Sequence, residues 1–275
     1  MNDKPMINDE APAHVNLDFS SARRVLTFGD VHGRVDILRN ALETEGFDPA
    51  QDRLVGLGDW LDRGPDTIEI ADFIEEMGDA LVFVIGNHEQ MLADAVRRRN
   101  GRISPLDFIR NGGAWIFDYA DETDETDEDL IHLNEAGQRI VRSVCNAPIA
   151  ITITTPEGYK AGFVHADTPR DPITGLLNWR YFTERLEDLG RNSDLASHAM
   201  WNRREVEAVE KRIFYNADYD PNDDVHGIDH VFYGHTIMEE PMTWGNRSWI
   251  DIGAYRREKI ALIDVGQWID TRIEE

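Results

Sequence analysis

The stretch "RRVLTFGDVHGR", residues 23–34, decides how this chain is read. Its first half is apolar and β-branched, the makings of a buried strand. Its second half sets Asp30 and His32 between two glycines, residue types that bury poorly. A polar turn would explain one such strand end. It does not explain two more of the same kind. "DRLVGLGDWLDRGP" (residues 52–65) and "ALVFVIGNHEQ" (residues 80–90) again run from apolar residues into glycine and an oxygen donor, Asp59 and Asn87. In open α/β sheets, sites form just outside the carboxyl ends of the strands. Glycine there lets a ligand come close with no Cβ in the way. Later strand-like stretches add imidazoles at the same place, His165 in "YKAGFVHAD" and His235 in "HVFYGHT".

Asp30, His32, Asp59, Asn87, His165 and His235 are hard oxygen and borderline nitrogen donors with no thiolate among them. That mix suits Mn, Fe or Zn rather than a structural thiolate zinc site. The donors are more than one four-coordinate ion uses, and one carboxylate can bridge two ions. A two-metal centre is the economical reading, with bound water acidified into a nucleophile. His88, next to Asn87, shares this context. His14, His132, His198, His226 and His230 lie outside it and are read as ordinary satisfied imidazoles.

The rest of the chain supplies a scaffold for those strand ends. Helix-like segments, "RVDILRNALETEG" and "DTIEIADFIEEMG", separate the first three strands, each with apolar positions at helical spacing and a glycine stop. The β-α-β-α-β order predicts an α/β sheet with helices on both faces. Further strands are expected at "APIAITITT", "SWIDIGA" and "KIALIDV", and further helices at "EQMLADAVRRR", "EAGQRIVRSVC" and "REVEAVEKRIF". The second half is richer in strands without long helices between them, which predicts a second sheet packed on the first. Residues 1–22 are expected to be a short polar extension, disordered or draped, ahead of a single domain over 23–275.

Of the 275 residues 41% are hydrophobic, enough for a sizeable core, and no apolar run approaches the length of about 20 residues that a membrane span needs. The polar N-terminus lacks the apolar centre of a secretory signal. The single Cys145 excludes an internal disulfide framework and fits a reducing cytoplasm. A formal net charge of -25 repels nucleic acid and anionic membrane surfaces, since phosphate-backbone binding rests on clustered Lys and Arg. No nucleic acid and no membrane partner is therefore expected.

Taken in order, "GDVHG", "GDWLDRG", "GNHEQM", "NGGAW", "HADTP", "MWNRRE", "FYGHT" and "WIDIGA" resemble the PPP-type, calcineurin-like metallophosphoesterases, most closely the bacterial and phage protein phosphatases. The resemblance implies an α/β sandwich of two β-sheets flanked by helices, with a dinuclear metal site at the carboxyl ends of the strands. It implies two divalent ions, Mn first and Fe or Zn otherwise. Asp30, His32 and Asp59 would hold the first ion; Asp59 would bridge to a second, completed by Asn87, His165 and His235. His88 would protonate the leaving oxygen, oriented by Asp62, and Arg63 and Arg203 would hold the phosphoryl oxygens. The implied substrates are phosphorylated proteins or peptides, with small phosphate esters hydrolysed in vitro.

Symmetrical diadenosine tetraphosphate hydrolases share the metal pattern and are the alternative; Asp62 and Glu89 favour the phosphatases. One departure is Ile85, which stands before "GNHE" where the related phosphatases usually carry Arg. Two acidic stretches stand apart, "DYADETDETDEDL" (118–130) and "NADYDPNDDVHGID" (216–229). The second loosely resembles a calcium loop, but Asp223 stands where the sharp turn needs glycine, so it is read as a solvated loop. It is expected to lie over the mouth of the site and repel acidic substrates.

Overall fold

The computed structural model describes residues 6–97, 104–121 and 132–273. The chain opens with strand β1 (His14–Asp18), then alternates β2 (Val25–Phe28), α1 (Val35–Thr44), β3 (Arg53–Gly56), α2 (Ile68–Met77), β4 (Leu81–Phe83) and α3 (Asn87–Arg97). Helix α4 (Pro105–Arg110), a 3-10 turn at Gly113–Tyr119 and helix α5 (Glu135–Val144) lead into β5 (Ala150–Thr154) and β6 (Lys160–Val164). Three helices follow, α6 (Trp179–Leu189), α7 (Asp194–Trp201) and α8 (Arg204–Phe214), before β7 (His230–Tyr233), β8 (Met242–Trp244) and β9 (Arg247–Trp249). Helix α9 (Ala254–Arg257), β10 (Leu262–Asp264) and α10 (Val265–Ile273) close it.

The strands form two sheets, ordered β10-β2-β3-β4 and β1-β5-β6-β7-β9-β8. Within the first, β2, β3 and β4 are parallel; within the second, β6, β7 and β9 are parallel. Val25, Val55 and Val84 from one sheet meet Ile151, Phe163 and Phe232 from the other in a common apolar layer. A second layer joins the four-stranded sheet to α1, α2, α3 and α5 through residues such as Leu38, Phe73, Met91 and Ile140. A third joins the six-stranded sheet to α6, α7 and α8 through Phe182, Leu186, Ala199 and Val206.

Each sheet is thus covered by helices on its outer face and by the other sheet on its inner face. The expected second sheet packed on the first is present; only the expectation of helices on both faces of the first sheet is corrected, since β2, β3 and β4 read as continuous apolar runs because both faces are buried, but one of the covers is that second sheet. Helices α6 and α7 correct the expectation of strands without long helices between them. Residues 14–18 lie within the stretch read as a draped extension, yet they pair in parallel with β5, and His14 Nε2 meets Thr152 Oγ1 at 2.8 Å. Among the described residues no helix is long and apolar enough to cross a membrane.

The acidic stretch 216–229 does not lie where it was expected. Asp224 accepts from the Asn246 amide just ahead of β9, and Asp229 accepts from the Lys160 amide at the start of β6. Arg212 pairs with Asp223 at 2.5 Å. The loop is therefore fastened to the amino ends of the strands, opposite the edge that carries the candidate ligands. Most of the other acidic stretch, residues 122–130, lies outside the described residues.

Candidate metal centre

The carboxyl ends of β2, β3 and β4 in one sheet and of β6 and β7 in the other meet along one edge of the sandwich. Getting five L-residues to turn their side chains into that edge bends the backbone into the left-handed region. His32, Asp59, Asp62, Arg63 and His235 have φ of 46°, 48°, 69°, 71° and 64°. Such conformations are strained for side chains with a Cβ and cluster at functional sites. The approach is also close: a Cβ on Gly86 would stand 2.1 Å from Asp59 Oδ1. Glycine before Asn87 is thus a steric requirement of the Asp59 carboxylate.

All the sequence-selected ligands come together here, and their hydrogen bonds aim their lone pairs inward. His32 Nδ1 lies 2.9 Å from the Leu61 carbonyl and His165 Nδ1 2.6 Å from the Leu57 carbonyl. A carbonyl only accepts, so each Nδ1 carries a hydrogen and each Nε2 faces the site. His165 Nε2 stands 3.0 Å from Asn87 Oδ1, 3.2 Å from His235 Nδ1 and 3.4 Å from Asp59 Oδ1. His32 Nε2 stands 3.4 Å from Asp59 Oδ2 and 3.8 Å from Asp30 Oδ2. The remaining Asp30 oxygen accepts from the His235 amide, tying the two sheets together at 2.9 Å. Two groups have ligand atoms within 4.8 Å of one another, His32–Asp59–His88 and Asp59–His165–His235, and Asp59 is common to both.

The electrostatics point the same way. Burial lowers the imidazoles of His32 and His235 to about 3 and about 2, which keeps them in the neutral form that can ligate. At His165 burial is outweighed by the carboxylates of Asp59 and Asp30, which push it up to about 10. Burial and the neighbouring Asp251 carboxylate raise Asp30 well above the usual carboxylate range. Asp59 is held well below that range by His165 and His88 in spite of its burial. Buried carboxylates that draw a proton to one imidazole would draw a divalent cation to the same point more strongly. The donor set and its convergence fit two such ions.

Beside this cluster His88 Nδ1 meets Asp62 Oδ2 at 2.5 Å, and the other Asp62 oxygen accepts from the Trp115 indole at 2.7 Å. His88 Nε2 faces the cluster, 3.9 Å from Asp59 Oδ2. Arg63 donates to His32 Nε2 and His88 Nε2, both at 2.8 Å, and its guanidinium lies 4.9 Å from the centre of the Tyr255 ring. Arg203 is exposed; it donates to the His235 carbonyl and Thr236 Oγ1 at 3.2 and 3.3 Å. Ile85 packs into the apolar layer of the six-stranded sheet and brings no charge here.

Residues that the sequence reading did not place complete the site. Trp115 belongs to the quoted "NGGAW", but nothing local marks its indole as a partner of Asp62. Glu89 was weighed only as a family discriminator. Its buried carboxylate accepts from the amides of Asp59, Trp60 and Gly86 at 2.9, 2.8 and 2.8 Å. It clamps the β3 and β4 strand ends to each other. Burial and the Asp59 charge push its pKa up to about 7, against the pull of those donors. Glu89→Gln is expected to destabilise the fold by about 2–4 kcal/mol, because a carboxamide must turn its NH2 group against one of those amides. Urea unfolding of both proteins in chelating buffer measures this, and equal midpoints would refute the clamp.

Comparison with known proteins agrees with this geometry. A family profile described as calcineurin-like phosphoesterase matches residues 23–239. Serine/threonine-protein phosphatase 1 of Salmonella typhimurium is 29% identical over 232 residues, 84% of this chain and 87% of its own length. The symmetrical bis(5'-nucleosyl)-tetraphosphatase of Thioalkalivibrio sulfidiphilus is 40% identical over only 65 residues, 24% of each chain. Among solved structures, a protein serine/threonine phosphatase from Saccharomyces cerevisiae superposes with a TM-score of 0.55 at 14% identity, covering 94% of this chain and 79% of its own.

Proposed function

This chain belongs to the calcineurin-like phosphoesterases, and on that premise we propose that it is a protein phosphatase acting on phosphoserine and phosphothreonine, and on phosphotyrosine. Its ions, in this reading two of Mn, would be held by Asp30, His32, Asp59, Asn87, His165 and His235. When bound they supply the Lewis acidity that makes water a nucleophile at neutral pH and offsets the charge on phosphorus.

The protein's own side chains do the rest. Arg63 and Arg203 hold the phosphoryl oxygens, for which the planar guanidinium is suited. Arg203 is braced for this by the His235 carbonyl, so the anion is held next to a metal ligand. Once Arg63 turns from His88 Nε2 to the phosphoryl oxygens, that nitrogen can carry the proton that goes to the departing oxygen. Asp62 fixes the ring through Nδ1, and Trp115 fixes Asp62. The observation that supports this reading is that relay: an imidazole and a carboxylate, both buried, and an indole in series, facing the candidate ligand cluster.

The rival, cleavage of diadenosine tetraphosphate, rests on relatives aligned over a quarter of the chain. With Mn restored after metal stripping, phosphate release from a phosphoserine peptide is expected to exceed cleavage of the dinucleotide. Arg203→Ala is expected to lower kcat/KM on the peptide by about 10–100-fold. Preferential cleavage of the dinucleotide would overturn the reading.

A further inference from the structure

β2, β3, β4, β6 and β7 each run into a candidate ligand at the same edge. β9 ends there too, and it brings Asp251, an acid with no role among those ligands. The register fixes its place. Tyr233 of β7 lies opposite Trp249 of β9, and the Ile250 amide carries the ladder one residue further by donating to the Tyr233 carbonyl at 2.9 Å. Asp251 is therefore level with His235, each two residues beyond the same pair. The Met238 amide donates to the Asp251 carbonyl at 2.8 Å, which holds Asp251 to the segment that follows His235. From the other sheet Gly29 presses against it: a Cβ on Gly29 would stand 2.7 Å from Asp251 Cα. The residue after Gly29 is Asp30.

The Asp251 side chain is buried, yet only half of it is used. Asp251 is 1% exposed. Oδ1 accepts from the Gly253 amide at 2.8 Å and closes a turn, whereas Oδ2 is buried with no hydrogen-bond partner. The turn does not call for a charge, since the neutral side chain of Asn makes the same one. A buried carboxylate without compensation is costly, and such groups persist where they are paired or serve a metal. A second buried acid adds to that cost, because Asp30 stands within reach of the Asp251 charge. Two buried carboxylates side by side repel each other, and a divalent cation between or beside them reverses the sign of that effect. Neither acid belongs to the two groups whose ligand atoms lie within 4.8 Å of one another, so Asp251 adds to the centre from the Asp30 side.

We propose that Asp251 is a positioning residue of the candidate metal centre, an outer carboxylate that favours a divalent cation on the Asp30 side and offers Oδ2 to that ion's hydration. It acts through Asp30 and the ion, not on the phosphate. The inference rests on the metal-centre part of the proposed function and is independent of which phosphate ester is cleaved. Outer partners of this kind change metal affinity by about 10–100-fold.

The test is Asp251→Asn, which keeps Oδ1 for the Gly253 amide and the shape of the side chain but removes the charge. The metal-stripped full chain is titrated with Mn by calorimetry. The variant is expected to weaken one of two equivalents about 10–100-fold and to leave the other unchanged. In Asp30→Asn, which should retain one equivalent, adding Asp251→Asn is expected to change nothing further. Melting separates this from a role in the turn alone. In chelating buffer the variant should melt no lower than the parent, and its rise in melting temperature on adding Mn should be smaller. Two equivalents bound with parental affinity would overturn the inference. So would a lower melting temperature in chelator with an unchanged rise on adding Mn, or weakening of the equivalent that Asp30→Asn retains. If the parent chain itself binds no Mn tightly, the metal reading fails, and the role of Asp251 fails with it.

Discussion

His88→Asn is expected to lower kcat on a phosphoserine peptide by about 10²–10⁴-fold, the range for loss of a positioned general acid. Serine leaves as an alkoxide unless a proton reaches its oxygen during bond cleavage. p-Nitrophenol leaves readily as its anion. The same variant should therefore lose much less activity on p-nitrophenyl phosphate. This contrast separates proton donation from disturbance of the metal ligands next door, which would slow both substrates alike. Asp62→Asn should show the same pattern with a smaller loss, because it leaves the ring in place but removes the charge opposite Nδ1. Equal losses on the two esters, with metal content intact, would show that His88 acts only as scaffold.

The second large effect is expected at Asp59. One of its oxygens reaches His165 and the other His32, and it belongs to both candidate ligand groups. Asp59→Asn should abolish tight binding of both ions and lower activity by more than about 10³-fold, since the ions carry most of the charge stabilisation. Asp30→Asn, which in the proposed ligand set touches only the first ion, should leave about one equivalent bound. Elemental analysis after dialysis reads the stoichiometry. Melting with and without added Mn reads the coupling, because a ligand that binds only the folded state raises the apparent melting temperature. Retention of two tightly bound equivalents by Asp59→Asn would refute the bridging role.

The candidate ligands could be picked out of the sequence because a strand end is a local event. Glycine followed by a donor, repeated after three successive apolar runs, needs no tertiary knowledge to be recognised. The relay behind His88 was legible only in part. Asp62 lies three residues from Asp59, but Trp115 reaches it from 53 residues away, through a 3-10 turn that no periodicity announces. The second sheet was legible from the strand-rich second half, but not which face of the first sheet it covers, since an apolar run looks the same whether a helix or a sheet lies on it. Helix α6 did leave a signal: the Asn178 side chain caps it, and Trp179, Phe182 and Leu186 follow at helical spacing. β1 left a weaker one, because its partly polar alternation over five residues looks like an ordinary polar tail.

The left-handed residues along the ligand edge have a further meaning for how this chain can change. Each of those positions would be more comfortable as glycine, by an amount of order 1 kcal/mol or more. None of them can become glycine without losing a candidate ligand, the guanidinium of Arg63 or the carboxylate that orients His88. Asn216 and Glu258, which share the conformation but are not among the candidate ligands, are under no such obligation. Selection for thermal robustness would thus find its easy gains at these two and meet a floor at the ligand edge. There, relief of strain and loss of chemistry are the same mutation.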